Sequence, residues 1–145
     1  MRAREVTPRE HYIIRLMRDE DVIATLTDFC NKEGITSGSF RAIGAVKDST
    51  IGYYDLAKKE YGKIVYPHEM EVASMTGNVA LVDGTPFLHV HAILTDMQKG
   101  KENQPIGGHV FAAKVAVTLE VHLETFDENI ERELDEDIGL KLLNI

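Results

Sequence analysis

The chain has 145 residues, of which 43% are hydrophobic, 16 are basic and 24 are acidic, so its formal net charge is −8 at pH 7. This length supports one domain with its own core and is short for two, so we expect a single domain over residues 1–145. The negative charge opposes binding to nucleic acid and anionic membranes, and no apolar run reaches the roughly 18 residues of a membrane span.

A single cysteine, Cys30, excludes an intrachain disulfide framework. The first five residues include three charged ones and lack the apolar stretch of a secretory signal. We therefore expect a cytoplasmic protein in which Cys30 is a buried, inert thiol on a helix face.

The first predicted elements are a strand and a helix. Residues 12–17 have the β-branched and aromatic density of a strand. The charged group that follows precedes apolar residues at helical spacing, which predicts one long helix over about residues 20–33. Asp19 is the predicted N-terminal cap of this helix, and Gly34 is its predicted stop.

Short apolar runs separated by glycine and turn residues follow the helix. Together with turns such as Asp83-Gly84, their spacing is typical of antiparallel strands. The fold class is therefore α+β, mainly an antiparallel sheet or partly open barrel with the long helix packed on it. The predicted strands cover residues 39–46, 49–56, 60–66, 70–82, 87–94 and 109–126.

The last third of the chain adds three further expectations. Polar residues from Gln98 to Gln104 predict a flexible hairpin connection between two antiparallel strands. Acidic residues between positions 127 and 137 predict a solvated loop or helix face, and the apolar residues 139–145 predict a final strand or a segment docked on the sheet. The strand over residues 109–126 is predicted to have one apolar face, formed by Val115, Val117, Leu119, Val121 and Leu123.

Three histidines form the strongest chemical signal. His89 and His91 are one residue apart in an apolar strand, so both side chains point to the same face, while Leu88 and Val90 point to the other. A third imidazole, from His109 on the neighbouring antiparallel strand, would complete the three-ligand set of a zinc-type divalent metal. One coordination position would stay open for water or a ligand.

The same histidines also have a purely structural interpretation. A histidine in an apolar strand is often half-buried, with its ring nitrogens bonded to nearby carbonyls. The Gly107-Gly108 pair before His109 favours a site instead, because paired glycines let the backbone approach another strand or a ligand closely.

The other three histidines carry weaker signals. His68 follows Pro67 in a predicted loop, where it is either a surface residue or a fourth or bridging ligand from a neighbouring subunit. His122 is predicted on the polar face of its strand, beside solvent or an interface. His11 precedes the first strand and carries no signal.

Segments that include the three histidines resemble a known family. From about Tyr12 to Ile145 the chain is similar to the prokaryotic branch of the plants-and-prokaryotes-conserved (PPC) domain family. The resemblance implies a compact α+β domain that assembles as a homotrimer, with His89, His91 and His109 as a metal site near the subunit contacts. The matching segments are residues 71–80, 83–92 and 107–110, together with residues 44–46, 52–55 and 59–61.

The plant members of this family place the similar domain behind AT-hook DNA-binding motifs. This chain has no Arg-Gly-Arg-Pro core of an AT-hook, and its acidic charge also argues against DNA binding. Plant members also use a Gly-Arg-Phe-Glu-Ile-Leu segment to meet partners. Of the matching residues 69–72 only Glu71 and its apolar successor carry over, so Glu71 is either an exposed acid at a strand start or a ligand-facing or interface residue.

Three functions remain open. The first is a regulatory or small-ligand-binding module in which Zn²⁺, or another divalent transition metal, holds the trimer's shape or senses a small anionic ligand. The second is a metal-dependent hydrolase or lyase, with Glu71 as candidate base and Glu120 as the alternate. The third is a DNA-associated regulator, supported only by Lys99, Lys101 and a few N-terminal arginines. The absence of a nucleophile arrangement favours the binding module over an enzyme.

Overall fold

A computed structural model of the chain describes residues 1–96 and 104–145. These residues form one helix and eight strands. Most of the predicted hairpin connection, including Lys99 and Lys101, lies outside the described residues. The elements are β1 (Pro8–Leu16), α1 (Val22–Glu33), β2 (Gly38–Asp55), β3 (Glu60–Tyr66), β4 (Met70–Val82), β5 (Thr85–Asp96), β6 (Gln104–Phe126), β7 (Glu131–Asp135) and β8 (Leu140–Asn144).

The eight strands belong to one sheet. Its neighbours run in the order β3-β2-β6-β5-β4-β7-β8, with β1 paired to β6 and an additional pairing between β2 and β4. The long pairings are antiparallel, as predicted, and a parallel bridge joins β4 to β7. Because β2 and β6 bond to different partners along their length, the sheet curls around its core, but it is not a closed barrel.

The core lies on the inner face of this curled sheet, under the helix. The helix contributes Val22, Leu26 and Cys30, which are spaced four residues apart and are all buried. They join sheet residues that include Val90 and Leu119, both fully buried. Cys30 is buried, as predicted, and this burial raises the pKa of its thiol to about 11. In the described part of the chain, no helix is long and apolar enough to cross a membrane.

The helix differs from its prediction in length and in its N-terminal cap. It spans 12 residues, Val22–Glu33, so the expectation of a long helix over about 20–33 was wrong. Asp21, rather than Asp19, is the cap: its carboxylate accepts a 2.8 Å hydrogen bond from a first-turn N–H. Asp19 has a positive φ of 71° and donates its N–H to the Val115 carbonyl, so the chain is still turning there. Gly34, with φ 66°, ends the helix as predicted.

The predicted strands are confirmed, with two changes. The two strands predicted over residues 39–46 and 49–56 form one continuous strand, β2, which ends at Asp55. In β6 the alternation is interrupted, because Val46 pairs with Val115 while Gly44 pairs with Leu119, which leaves two extra residues in β6. Val117 is consequently 68% exposed, and its predicted place on the apolar face was wrong.

The acidic segment near the C-terminus is the largest difference. Part of it forms β7 rather than the predicted solvated loop or helix face, and β7 pairs with the predicted final strand, β8. Glu131 and Glu133 are exposed, whereas Arg132 between them is only 8% exposed. The β7–β8 hairpin therefore buries the side chain of Arg132, although the neighbouring residues in the sequence are mostly acidic.

Candidate metal centre

The pairing of β5 with β6 brings the three predicted histidines together. His91 lies directly opposite His109 in the antiparallel register. His89 is two residues before His91 and points to the same outer face of the sheet, while Leu88 and Val90 are buried in the core as predicted. The three histidines therefore form one cluster on the face of the sheet opposite to the core.

The imidazole rings of the cluster converge. The ring centroids are 5.0 Å apart for His89 and His91, 5.1 Å for His89 and His109, and 5.5 Å for His91 and His109. One nitrogen from each ring lies within 4.8 Å of the others. Nitrogens that share a tetrahedral zinc ion are about 3.4 Å apart, so the three nitrogens would move closer together on binding an ion.

Gly108 allows His109 to reach this position. A Cβ atom at Gly108 would lie 2.5 Å from the carbonyl oxygen of Gly52 on β2, and the residue has a φ of 155°. Only glycine therefore fits where β6 passes this close to β2. The prediction of a close backbone approach at Gly107-Gly108 is confirmed, and it places His109 opposite His91.

Two aromatic rings and burial shape the properties of His109. The ring centroids of Tyr61 and Phe111 lie 5.2 and 4.6 Å from its ring. Its Nδ1 is buried and has no hydrogen-bond partner among residues 1–96 and 104–145. Burial, followed by the nearby charges of His89 and His91, lowers the pKa of His109 to about 4. A neutral ring with an unpaired nitrogen at pH 7 is the form that binds a metal, so the residues fit a cation at this position.

Arg132 is the main residue of the site that sequence reasoning missed. Its Nη2 lies 3.4 Å from Nδ1 of His89 and donates a 2.7 Å hydrogen bond to Oδ1 of Asn78, the cross-strand partner of His89. Its Nη1 donates to the Lys141 carbonyl at 3.1 Å. Burial, then the charges of Arg132 and His91, lowers the pKa of His89. Arg132 carried no local signal, because only the β7–β8 hairpin places it here.

A cavity of about 380 Å³ opens beside the cluster. Its polar end is formed by His89, His109, Tyr61 and Arg132, Lys141 also lines it, and the remaining wall is apolar. This volume falls within the range of small-molecule sites in proteins. The apolar wall includes Val82, Phe87, Leu88, Val110, Phe111, Leu140 and Leu142.

Residues 3–127 match the profile of the Plants and Prokaryotes Conserved (PCC) domain. The chain belongs to this family. This family, also abbreviated PPC, is the one that was predicted from the histidine-bearing segments, so the family prediction is confirmed. A search among curated proteins finds no match for this PPC-domain chain.

Solved structures support the same assignment. A metal-containing protein from Archaeoglobus fulgidus is 36% identical, with a TM-score of 0.91 and 100% of both chains covered. A PPC protein from Pyrococcus horikoshii is 32% identical, with a TM-score of 0.91 and coverage of 100% of this chain and 98% of that one. A Bacteroides thetaiotaomicron protein whose name proposes DNA binding is 25% identical, with a TM-score of 0.86 and 96% of both chains covered.

The two candidate general bases, Glu71 and Glu120, lie away from the histidine cluster. Glu71 is exposed and pairs with Thr95, which is four residues, or about 13 Å, along β5 from His91. Glu120 is exposed, pairs with Ile43 and lies eleven residues beyond His109 on β6. The structure therefore brings the three histidines together but neither carboxylate.

The remaining histidines also lie outside the cluster. His68 is mostly buried, and its Nε2 lies 2.9 Å from Oδ2 of Asp96, so the expectation of a surface residue was wrong. This pair holds the start of β4 against the end of β5, where Met70 and Asp96 are cross-strand partners. His11 and His122 are exposed. The exposure of His122 agrees with its predicted place on the polar face of its strand. The prediction that His11 precedes the first strand was wrong, because β1 begins at Pro8.

Proposed function

We propose that this protein is a regulatory or small-ligand-binding module that holds a divalent transition-metal ion on His89, His91 and His109. The observation that carries this proposal is the convergence of three ring nitrogens within 4.8 Å on two adjoining strands. Zinc is the proposed ion, because it accepts ligation by nitrogen alone. A bound ion would supply a Lewis-acidic position for water or a small anionic ligand.

Two further observations support a metal at this place. The lowered pKa values of His89 and His109 keep both rings neutral near pH 7, so a cation does not have to displace protons from them. In addition, the relative from Archaeoglobus fulgidus is named as metal-containing and aligns over the full length of both chains at 36% identity.

The position of the carboxylates favours a binding module over the alternative of a hydrolase or lyase. Such an enzyme needs a general base within hydrogen-bond reach of the reacting water. Within one chain, Glu71 and Glu120 lie too far along their strands for this role. Among the described residues, the group able to hold a metal contains histidines alone. The net charge of −8 likewise gives no support to a nucleic-acid ligand.

Elemental analysis of protein purified without a histidine tag tests the metal site. We expect about one zinc-type ion per chain in the wild-type protein after incubation with zinc and desalting. His89→Ala and His109→Ala should lose the ion, because two imidazoles hold it far more weakly than three. His11→Ala is the matched control and should retain it, since His11 is exposed and outside the cluster. A metal-free wild type, or equal metal content in all variants, would refute the proposal.

We also propose that the protein is a homotrimer whose subunit contacts lie near the cluster. The trimeric state is the one that the family resemblance implies. Ile13, Ile43 and Ile93 support self-association, because they are 74%, 60% and 51% exposed, and exposed aliphatic side chains on a sheet favour burial against another chain. All three share the outer face with the histidines. Cross-strand pairs place successive residues on one face: Ile13, His122, Arg41, Thr76, His91 and His109. Ile43 and Ile93 lie two residues from Arg41 and His91, so they point to the same face.

A further inference from the structure

We propose that Arg132 anchors a small monocarboxylate with a short apolar body in the cavity beside the histidine cluster. This inference rests on the proposed function, since it assigns the ligand class of the same site. It begins from the charge of Arg132, which is buried to more than nine-tenths. In the described part of the chain its hydrogen-bond partners are neutral: the Asn78 side chain, the Lys141 carbonyl and His89.

The guanidinium is incompletely paired. Its Nε is buried and has no hydrogen-bond partner in the described part of the chain, and no carboxylate there forms an ion pair with it. The adjacent acids Glu131 and Glu133 are exposed, because side chains alternate along β7. Burying a charge without a counter-charge costs free energy, because the charge loses its hydration. A bound anion compensates for this loss. Arg132 therefore has the properties of an anion-binding residue.

The wall of the cavity indicates the rest of the ligand. Polar groups gather at one end, around Arg132, His89 and His109, and the Arg132 guanidinium carbon lies 5.7 Å from the centre of the Phe87 ring. From there the wall is mainly apolar, with Val82 and Leu142 among its residues. A ligand with one charged end and a hydrocarbon body matches this distribution. Lys141 also lines the cavity, but its ammonium group pairs with Asp83 at 2.6 Å. The Arg132 guanidinium is then the cation available to a ligand among the described lining residues, and its planar fork fits the two oxygens of one carboxylate.

The position of Arg132 also connects this ligand with the metal site. Because its Nη2 lies 3.4 Å from Nδ1 of His89, the guanidinium charge opposes a cation on the three imidazoles. A carboxylate bound at Arg132 lies next to the cluster and offsets that repulsion. Metal and carboxylate should consequently strengthen each other's binding.

Calorimetric titration with straight-chain carboxylates from acetate to octanoate tests this inference. We expect saturable binding that strengthens about threefold to fourfold with each added methylene until the cavity is filled. Primary alcohols of the same length are the matched controls and should bind at least tenfold more weakly, because they lack the charge. Equal affinities for acids and alcohols would overturn the assignment.

Two variants separate the charged end from the apolar end. Arg132→Gln should weaken carboxylate binding at least tenfold, to the level of the alcohols. Zinc should stay bound at about one ion per chain, because the substitution removes a charge that opposes the cation. Leu142→Ser should leave acetate binding unchanged and reduce the gain per methylene, and it should fold normally because Leu142 is 39% exposed. Wild-type affinity in Arg132→Gln refutes the proposal. If that variant does not fold, the acid–alcohol comparison and Leu142→Ser decide the question.

The titrations are run on zinc-loaded and zinc-free protein, so that the two proposals can fail separately. Protein that binds zinc but no carboxylate would refute the role of Arg132 and leave the metal proposal intact. Protein that binds carboxylates through Arg132 but never binds zinc would refute the metal proposal alone. If both proposals are correct, carboxylates should bind more tightly to the zinc-loaded protein than to the zinc-free protein.

Discussion

At the scale of single residues, neighbouring aromatic side chains determine how the ring of His109 is oriented. Tyr61 on β3 and Phe111 on β6 contact its ring, and Tyr61 also contacts Phe111 with their ring centroids 4.9 Å apart. Such contacts restrict rotation of the imidazole about its side-chain bonds. The ring is therefore oriented before a ligand arrives, which lowers the entropic cost of coordination.

The orienting role of Tyr61 yields a first prediction. Tyr61→Leu should lower zinc affinity about tenfold, because residues that position a metal ligand contribute to affinity without touching the ion. Competition with a chromophoric chelator measures this change. Tyr53→Leu is the matched control, since Tyr53 lies on the neighbouring strand β2 and is 65% exposed. An equal effect of both substitutions would show that general destabilisation, rather than ring orientation, is responsible.

The lowered pKa of His109 yields a second prediction, for the metal-free protein. The pKa of His109 is about 4 in the folded chain and 6.5 when unperturbed, so between these values the unfolded chain binds more protons. The free energy of unfolding should therefore fall by about 2 kcal/mol as the pH is lowered from 6.5 to 4, allowing for partial exposure of the ring. Urea denaturation in the presence of chelator measures it. His109→Gln should lose this part of the pH dependence, and an unchanged profile would contradict the assignment.

At the scale of elements, the site depends on how strands approach one another. The β5–β6 pairing supplies all three histidines, and the β7–β8 hairpin adds Arg132 through its attachment to β4, where the Leu81 N–H donates to the Ile130 carbonyl at 2.8 Å. The helix lines the cavity with the apolar Ile23, contributes nothing to the cavity's polar end, and fills the core behind the sheet. Changes in strand spacing should therefore disturb the site more than changes in the helix.

Gly108 provides the corresponding test. Gly108→Ala should reduce the free energy of unfolding by about 3 kcal/mol and lower zinc content, because a Cβ 2.5 Å from the Gly52 carbonyl forces β6 away from β2. Gly84→Ala is the matched control: Gly84 also has a positive φ, 77°, but its Cβ would meet nothing within 4 Å. It should cost about 1 kcal/mol and leave zinc binding intact. Denaturation and elemental analysis of both variants measure these effects, and equal losses would contradict a steric cause.

At the scale of the whole molecule, the sheet has two different faces. The inner face carries the core, and the outer face carries the histidines together with exposed aliphatic residues. The exposed side chains of Ile43 and Ile93 on the outer face favour contacts between copies of the chain there, next to the candidate site. Self-association there would cover part of the face and bring neighbouring chains close to the cluster.

The proposed homotrimer is tested on this outer face. Ile43→Glu should convert a trimer to monomers, because three buried carboxylates without counter-charges would oppose assembly. Light scattering after size-exclusion chromatography gives the mass of the species in solution. Leu56→Glu is the control, since Leu56 is similarly exposed, at 57%, but lies in the turn after β2. A monomeric wild type, or a trimer that survives Ile43→Glu, would contradict the proposal.

Local patterns in the sequence were sufficient for much of the fold and for part of the site. Side chains alternate along any strand, so the shared face of His89 and His91 could be predicted without knowing what pairs with them. The end of the helix at Gly34 likewise depends on a local backbone preference for positive φ. The Gly107-Gly108 pair and the predicted antiparallel hairpin then indicated His109 as the third member of the set, in agreement with the family resemblance.

Other features depend on contacts between segments that are distant in the chain, and only the tertiary structure decided them. The interrupted alternation that exposes Val117 arises where β6 pairs with β2 in a shifted register. Asp19 was the wrong choice of cap because β6 holds its backbone in a turn. Arg132 stands among acids in the sequence, yet it reaches His89 through hairpin pairing and a bond to Asn78. The register of the strands and the position of the hairpin depend on interactions along the whole sheet. The pattern of residues within one segment does not contain this information.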